Sequence, residues 1–192
     1  MVAASNRLLF WSPALYLSAC AAALLPCAPR IIASTVHIVI EVKEQVEVPA
    51  PTQTVWEILS SPRAVVDCVP GAALGERHED GSFDATLMVK FGPAKVTFRA
   101  RVAAEFDEAA LTGRVTSKGK DNQGGTRFSA TMGFKVVETA GGAGSAVPIE
   151  AEVDIGGRLA SLVESGAALV VKRMTRDFSE RLAARCSKTG EP

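Results

Sequence analysis

The chain is short of the residues that most catalytic and metal sites need. It has two histidines in 192 residues, His37 and His78, so a Ser-His-Asp or Cys-His arrangement has almost no material to work with. His37 falls on the polar face of a strand pattern and His78 near a hairpin turn, so neither is placed as a general base inside a core. The four cysteines, Cys20, Cys27, Cys68 and Cys186, include no C-x-x-C pair and have no histidine at zinc spacing. A structural zinc or a disulfide framework is therefore not expected. Cys68, beside Pro70, reads as a small buried hydrophobe ahead of a reactive thiol. Net charge is missing as well: 21 Lys+Arg balance 21 Asp+Glu, and no basic run interleaves with aromatics, which disfavours nucleic acid as a partner. Gly141 to Gly144 has the composition of a phosphate loop but lacks the strand-to-helix context, so it reads as a turn.

What the chain does have begins with an uncharged stretch from Leu8 to Pro29, interrupted by Pro13 and Pro26. Three readings of residues 1–35 stand side by side. The run is long enough for a membrane span, although the prolines count against a straight helix. It also suits an export signal, with Arg7 before an apolar core from Leu8 to Leu17 and a lipobox-like Leu17-Ser18-Ala19-Cys20. The third reading is a start codon placed too far upstream, because the folded pattern begins abruptly near Val36. The domain is expected over 36–187, with 188–192 as a tail.

From Val36 the residues alternate. Ile38, Ile40, Val42, Val46 and Val48 take turns with His37, Glu41, Lys43, Gln45 and Glu47, the period of a half-buried strand. Glu44 alone breaks the apolar face. Two short helices follow, one over Thr52 to Leu59 with Trp56 inward, and one opened by Pro62 and ended by Pro70-Gly71. Hairpin signals then recur at Asp80-Gly81 and Gly92-Pro93. Between and after them Phe83 to Phe91, Val96 to Ala104, Phe128 to Val136 and Ile149 to Ile155 alternate in the same way, as strands with one wet face do.

The chain closes on a long amphipathic helix expected from Gly156 to Ser187, on the order of 40 Å in length. Leu159, Val163, Ala167 and Val171 form one row of its apolar stripe, and Val170, Met174, Phe178 and Leu182 the next. Gly156-Gly157 serve as the joint between the last strand and this helix. The expected class is α+β, a curved antiparallel sheet of about seven strands around one C-terminal helix.

The inward faces bring Phe91, Phe98, Phe128, Met132 and Phe134 opposite Val163, Val170, Met174 and Phe178, with Trp56 and Leu87 beside them. Such stripes usually just pack. Small residues on the same faces, Ala85, Ala100, Ala130, Ala151 and Ala167, favour unfilled volume that an apolar guest could take. Those eleven large residues are the candidate cavity lining. No catalytic residue, metal ligand or cofactor is assigned.

The order Val48-Pro49-Ala50-Pro51, Val55-Trp56, Ser61-Pro62, Cys68-Val69-Pro70-Gly71 and Gly156-Gly157-Arg158-Leu159 resembles the G-subunit family of carbon monoxide dehydrogenase, of the START-like or SRPBCC helix-grip superfamily. The resemblance runs from about Val42 to Arg185. It implies a deep apolar cavity, a quinone-like or lipid-like ligand, and an accessory role beside a molybdenum hydroxylase, the aerobic carbon monoxide dehydrogenase. It also implies peripheral contact with the inner face of the cytoplasmic membrane. Many relatives extend past the long helix into a membrane-engaging tail, and this chain ends at Pro192. A docking or maturation subunit without a small-molecule ligand is the alternative.

Overall fold

The computed structural model describes residues 37–142 and 144–189. The apolar segment 1–35 with Cys20, Cys27 and the lipobox-like run, Val36, and the last residues of the tail lie outside the described residues.

The first strand, β1 (His37–Val48), precedes two short helices, α1 (Thr52–Leu59) and α2 (Pro62–Cys68). Pro51 stands at the N-cap of α1, and Ser61-Pro62 open α2 with proline at its first turn, where the missing N–H has no helical partner to lose. Then come β2 (Ala72–Arg77), β3 (Phe83–Phe91), β4 (Ala94–Asp107), β5 (Thr112–Asp121), β6 (Thr126–Lys135), the two-residue β7 (Val137–Glu138) and β8 (Ser145–Gly157). All pair antiparallel in the order β1-β8-β6-β5-β4-β3-β2, with β7 on β8. The helix α3 (Ala160–Thr189) ends the chain; at 30 residues it is about 45 Å long. The expected element order is what the structure has, a helix-grip architecture. The helix begins at Ala160, and Gly156-Gly157 finish β8.

Strand alternation carries through into burial. Val89 and Phe91 of β3 and Val96 and Phe98 of β4 are buried while Lys90 and Lys95 between them are exposed. On α3, Ala160, Val163, Leu182 and Cys186 are buried along the row that faces the sheet, and Leu169 on the opposite side is 76% exposed.

The interior divides into two parts. One end is solid: Val46, Val48, Val55, Trp56, Leu182 and Cys186 are buried together, with Phe134 and Phe178 packed on them. Trp56 of α1 meets Phe106 edge-on at 6.0 Å and lies 6.2 Å from Phe134, so the short helix wedges an indole into that end. The other end gathers Val89, Phe91, Phe98, Ile155 and Val163, with Phe128 and Val170 against them.

A chain of hydrogen bonds ties the sheet to the start of α3. Asp121, 2% exposed, accepts hydrogen bonds from the backbone N–H of Thr126 at 2.8 Å and of Gln123 at 3.3 Å. Thr126 Oγ1 in turn accepts from the Leu159 N–H at 3.1 Å, and the Arg158 N–H donates to the Gly125 carbonyl at 3.1 Å. A helix leaves its first N–H groups unpaired, and here the β5–β6 loop supports the backbone just before it. Gly157 makes the turn possible, with φ of 120° and no room for a side chain against Gly125 and Thr126.

Candidate functional site

Between the sheet and the first half of α3 lies a cavity of about 330 Å³. Its floor comes from inward residues of six strands: Ile40 and Val42 of β1, Leu87 and Val89 of β3, Phe98 and Ala100 of β4, Ser117 of β5, Phe128 and Ala130 of β6, and Val153 and Ile155 of β8. The helix supplies Val163, Ala167, Val170 and Val171 as its roof. Thr86 and Ser117 are the polar residues among those that line it.

The hollow has a physical cause in β5. Its inner face reads Gly113, Val115, Ser117, Gly119, so the middle strand of the sheet puts few atoms into the interior. Gly119 stands directly across from Phe128, and a Cβ on it would lie 2.8 Å from that ring. The ring therefore lies over the glycine backbone, the way an aromatic covers a glycine in a sheet. Phe128 also meets Phe98 edge-on, with centroids 5.4 Å apart at 80°, a favourable geometry for two aromatic quadrupoles. Large rings lie down and small residues stand beside them, and the space above is left open.

Of the eleven residues expected from the sequence, Leu87, Phe91, Phe98, Phe128, Val163 and Val170 line this cavity. Trp56, Phe134 and Phe178 sit in the solid end. Met132 occupies an inward position of β6 opposite Val115 and Ala151, and Met174 a half-buried position of α3; neither lines the cavity. Ile40, Val42, Val153 and Ile155 were missed as lining, although their period-2 pattern carried the signal. Ser117 was missed because a strand of glycine, serine and lysine shows little apolar periodicity.

The chemically reactive groups lie elsewhere. His37 Nδ1 is 3.3 Å from Asp154 Oδ1 on the outer sheet face, and His78 Nε2 is 3.0 Å from Asp84 Oδ1 and 2.8 Å from an Arg101 nitrogen. Cys68 is 1% exposed and its thiol donates to the Ala64 carbonyl at 3.5 Å. Burial pushes that thiol above its ordinary value of 9.0, against the opposing pull of the Arg185 guanidinium. Burial raises Cys186 too, with Cys68 adding to the effect. Among the described residues, no group of three or more His, Cys, Asp or Glu is placed to hold a metal ion. No helix among them is long and apolar enough to cross a membrane.

The fold is shared with solved structures of low sequence identity. A conserved protein from Geobacillus kaustophilus superposes with a TM-score of 0.67 at 16% identity, covering 78% of this chain and 97% of its own. The Zhui aromatase/cyclase from Streptomyces sp. R1128 gives 0.57 at 14% identity, covering 80% and 97%. A protein from Thermus thermophilus gives 0.54 at 15%, covering 79% and 100%. At these identities the likeness is one of architecture. A search of curated proteins finds no match. The family described as the G subunit of carbon monoxide dehydrogenase (CoxG) matches residues 45–187, from late β1 to the last turn of α3, and the chain belongs to that family.

Proposed function

We propose that this protein is a non-catalytic accessory subunit that holds a quinone-like or other lipid-like molecule between its sheet and α3. In this reading it works beside an aerobic molybdenum-type carbon monoxide dehydrogenase and links that enzyme to the cytoplasmic face of the membrane. The observation that carries the ligand is the cavity of about 330 Å³ with its almost wholly apolar wall. That volume is near the lower end of the ~300–1,000 Å³ common for small-molecule sites, so a ring system with a short tail suits it better than a complete long-chain lipid. Apolar surface removed from water on both sides of such a contact is worth roughly 25 cal/mol per Å². The edge-on Phe98–Phe128 pair offers a flat ring a face to lie against.

A passive role is supported by what the wall is made of. None of its residues titrates near neutral pH, so it offers no general acid or base. Membership of a family described as a dehydrogenase subunit supports the enzyme partnership. The aromatase/cyclase activity named for the Streptomyces protein belongs to that protein.

Native mass spectrometry of the protein purified without detergent, followed by organic extraction, tests this reading. A discrete apolar mass that leaves with the solvent is expected. A clean apo mass that takes up neither ubiquinone nor menaquinone analogues would overturn it in favour of a docking subunit whose interior is only core.

A further inference from the structure

The outer face of the sheet, on the side away from the cavity, is divided by charge. Arg99, Arg101, Lys118, Lys120 and Arg127 occupy exposed outward positions of β4, β5 and β6. The register places Lys120 directly opposite Arg99 on one side and Arg127 on the other, and Lys118 opposite Arg101. Like charges directly opposite each other weaken a sheet. Arg101 has Asp80 at 4.0 Å and His78 beside it. The side chains of Arg99, Lys118, Lys120 and Arg127 make no ion pair or hydrogen bond among the described residues.

Across the same face, on β8 and β1, the outward positions turn acidic with Glu150, Glu152, Asp154 and Glu41. Here Glu41 stands directly opposite Glu152, again like against like. Lys43, 3.8 Å from Glu150, and His37, 3.3 Å from Asp154, offset only part of this charge. One face thus carries a cationic half and an acidic half, each internally repulsive.

We propose that this face is the contact between two copies of the chain. The two-fold axis would lie in the interface and cross β6 and β8 obliquely, because the register sets Glu41, Glu150 and Glu152 further along the strands than Arg99, Lys120 and Arg127. The cationic cluster of each copy then meets the acidic cluster of the other. Such a contact is isologous, with each copy supplying both halves. An axis running through either cluster would set like charge on like. The 21 basic and 21 acidic residues of the whole chain balance, so no net repulsion opposes the approach. A flat anionic membrane fits this face poorly because the acidic half would meet it too. Single-stranded nucleic acid needs stacking aromatics, and the outward positions around the cations, Thr97, Ala103, Thr116, Ser129 and Thr131, carry none. Charge complementarity of this kind governs encounter and specificity more than affinity, so the dimer is weak and salt-sensitive. It is independent of whether the cavity holds a ligand.

Sedimentation velocity on the full chain tests this with two charge-reversed forms. Lys118→Glu with Lys120→Glu sets two acidic side chains in the cationic half, and Glu41→Lys with Glu152→Lys sets two basic ones in the acidic half. The wild type is expected to sediment as a dimer at low salt and a monomer at high salt. Each variant alone is expected to stay monomeric, and an equimolar mixture to pair at low salt. A wild-type monomer at low salt, a dimer that survives either reversal, or a mixture that fails to pair would each overturn the proposal. The single changes Lys120→Glu and Glu152→Lys serve the same comparison if a double variant loses its fold.

Discussion

The Phe91 ring lies over the backbone of α3 at Gly166, so near that a Cβ on the glycine would stand 2.9 Å from the ring's Cδ1. Phe91 is 8% exposed and forms part of the cavity wall, so the glycine lets the ring press against the helix and close the wall there. Phe91→Ala is expected to lower stability by about 3 kcal/mol, as buried Phe truncations do, and to speed release of a bound apolar probe. Gly166→Ala is expected to shift the ring by a few tenths of an ångström and alter release with a smaller loss of stability. Urea denaturation and stopped-flow dissociation of the probe read the two effects separately.

Gly157 and Gly133 make a matched pair. Gly157 has φ of 120°, and a side chain there would strike Gly125 and Thr126, so Gly157→Ala is expected to cost about 1–3 kcal/mol. Gly133 has open space where its Cβ would go, and alanine there restricts the unfolded chain without a native clash. Thermal melts should show a clear fall for the first and little change or a small gain for the second.

How much of this could be read from residue order depends on the element. The period-2 faces of β1, β3, β4, β6 and β8 and the i, i+4 stripe of α3 were legible because each element has one wet side. Phe91, Phe98 and Phe128 were legible as inward residues, but inward alternation looks the same in a packed interior and a hollow one. Trp56 and Phe134 ended in the solid part because α1 docks against that end of the sheet, a tertiary placement that no local period encodes. The cause of the hollow, the side-chain-poor face of β5, shows as low apolar content, a signal easily taken for a loop.

The buried Asp121 should matter more than an ordinary turn aspartate. Its carboxylate accepts two backbone N–H groups, those of Gln123 and Thr126, and Thr126 passes the tether on to Leu159. Thr126→Val keeps the shape and removes the acceptor, leaving the Leu159 N–H unpaired. A loss of about 1–3 kcal/mol is expected for such a group. Hydrogen exchange at 158–163 should quicken relative to the rest of α3.

The two buried thiols set an alkaline limit. Both have folded pKa values raised by burial above the ordinary 9.0. A raised pKa contributes stability that is fully present below the unfolded value and is lost as pH climbs through the folded one. These thiols should therefore have no effect on the pH dependence at neutrality and lower the melting temperature above about pH 9. In the double variant Cys68→Ala, Cys186→Ala, the alkaline decline should be shallower than in the wild type, even if the protein starts from a lower melting temperature.

The central claim is that the space between the sheet and α3 is occupied by an apolar guest. Ala130 lines that space from β6, and Ala130→Phe would project a benzyl group into a cavity of about 330 Å³. Titrating the wild type and this variant with a short-chain naphthoquinone, with circular dichroism to verify the fold, measures occupancy directly. The account predicts saturable binding by the wild type and at least tenfold weaker binding by a folded Ala130→Phe. Equal binding by both, or none by the wild type, would contradict it.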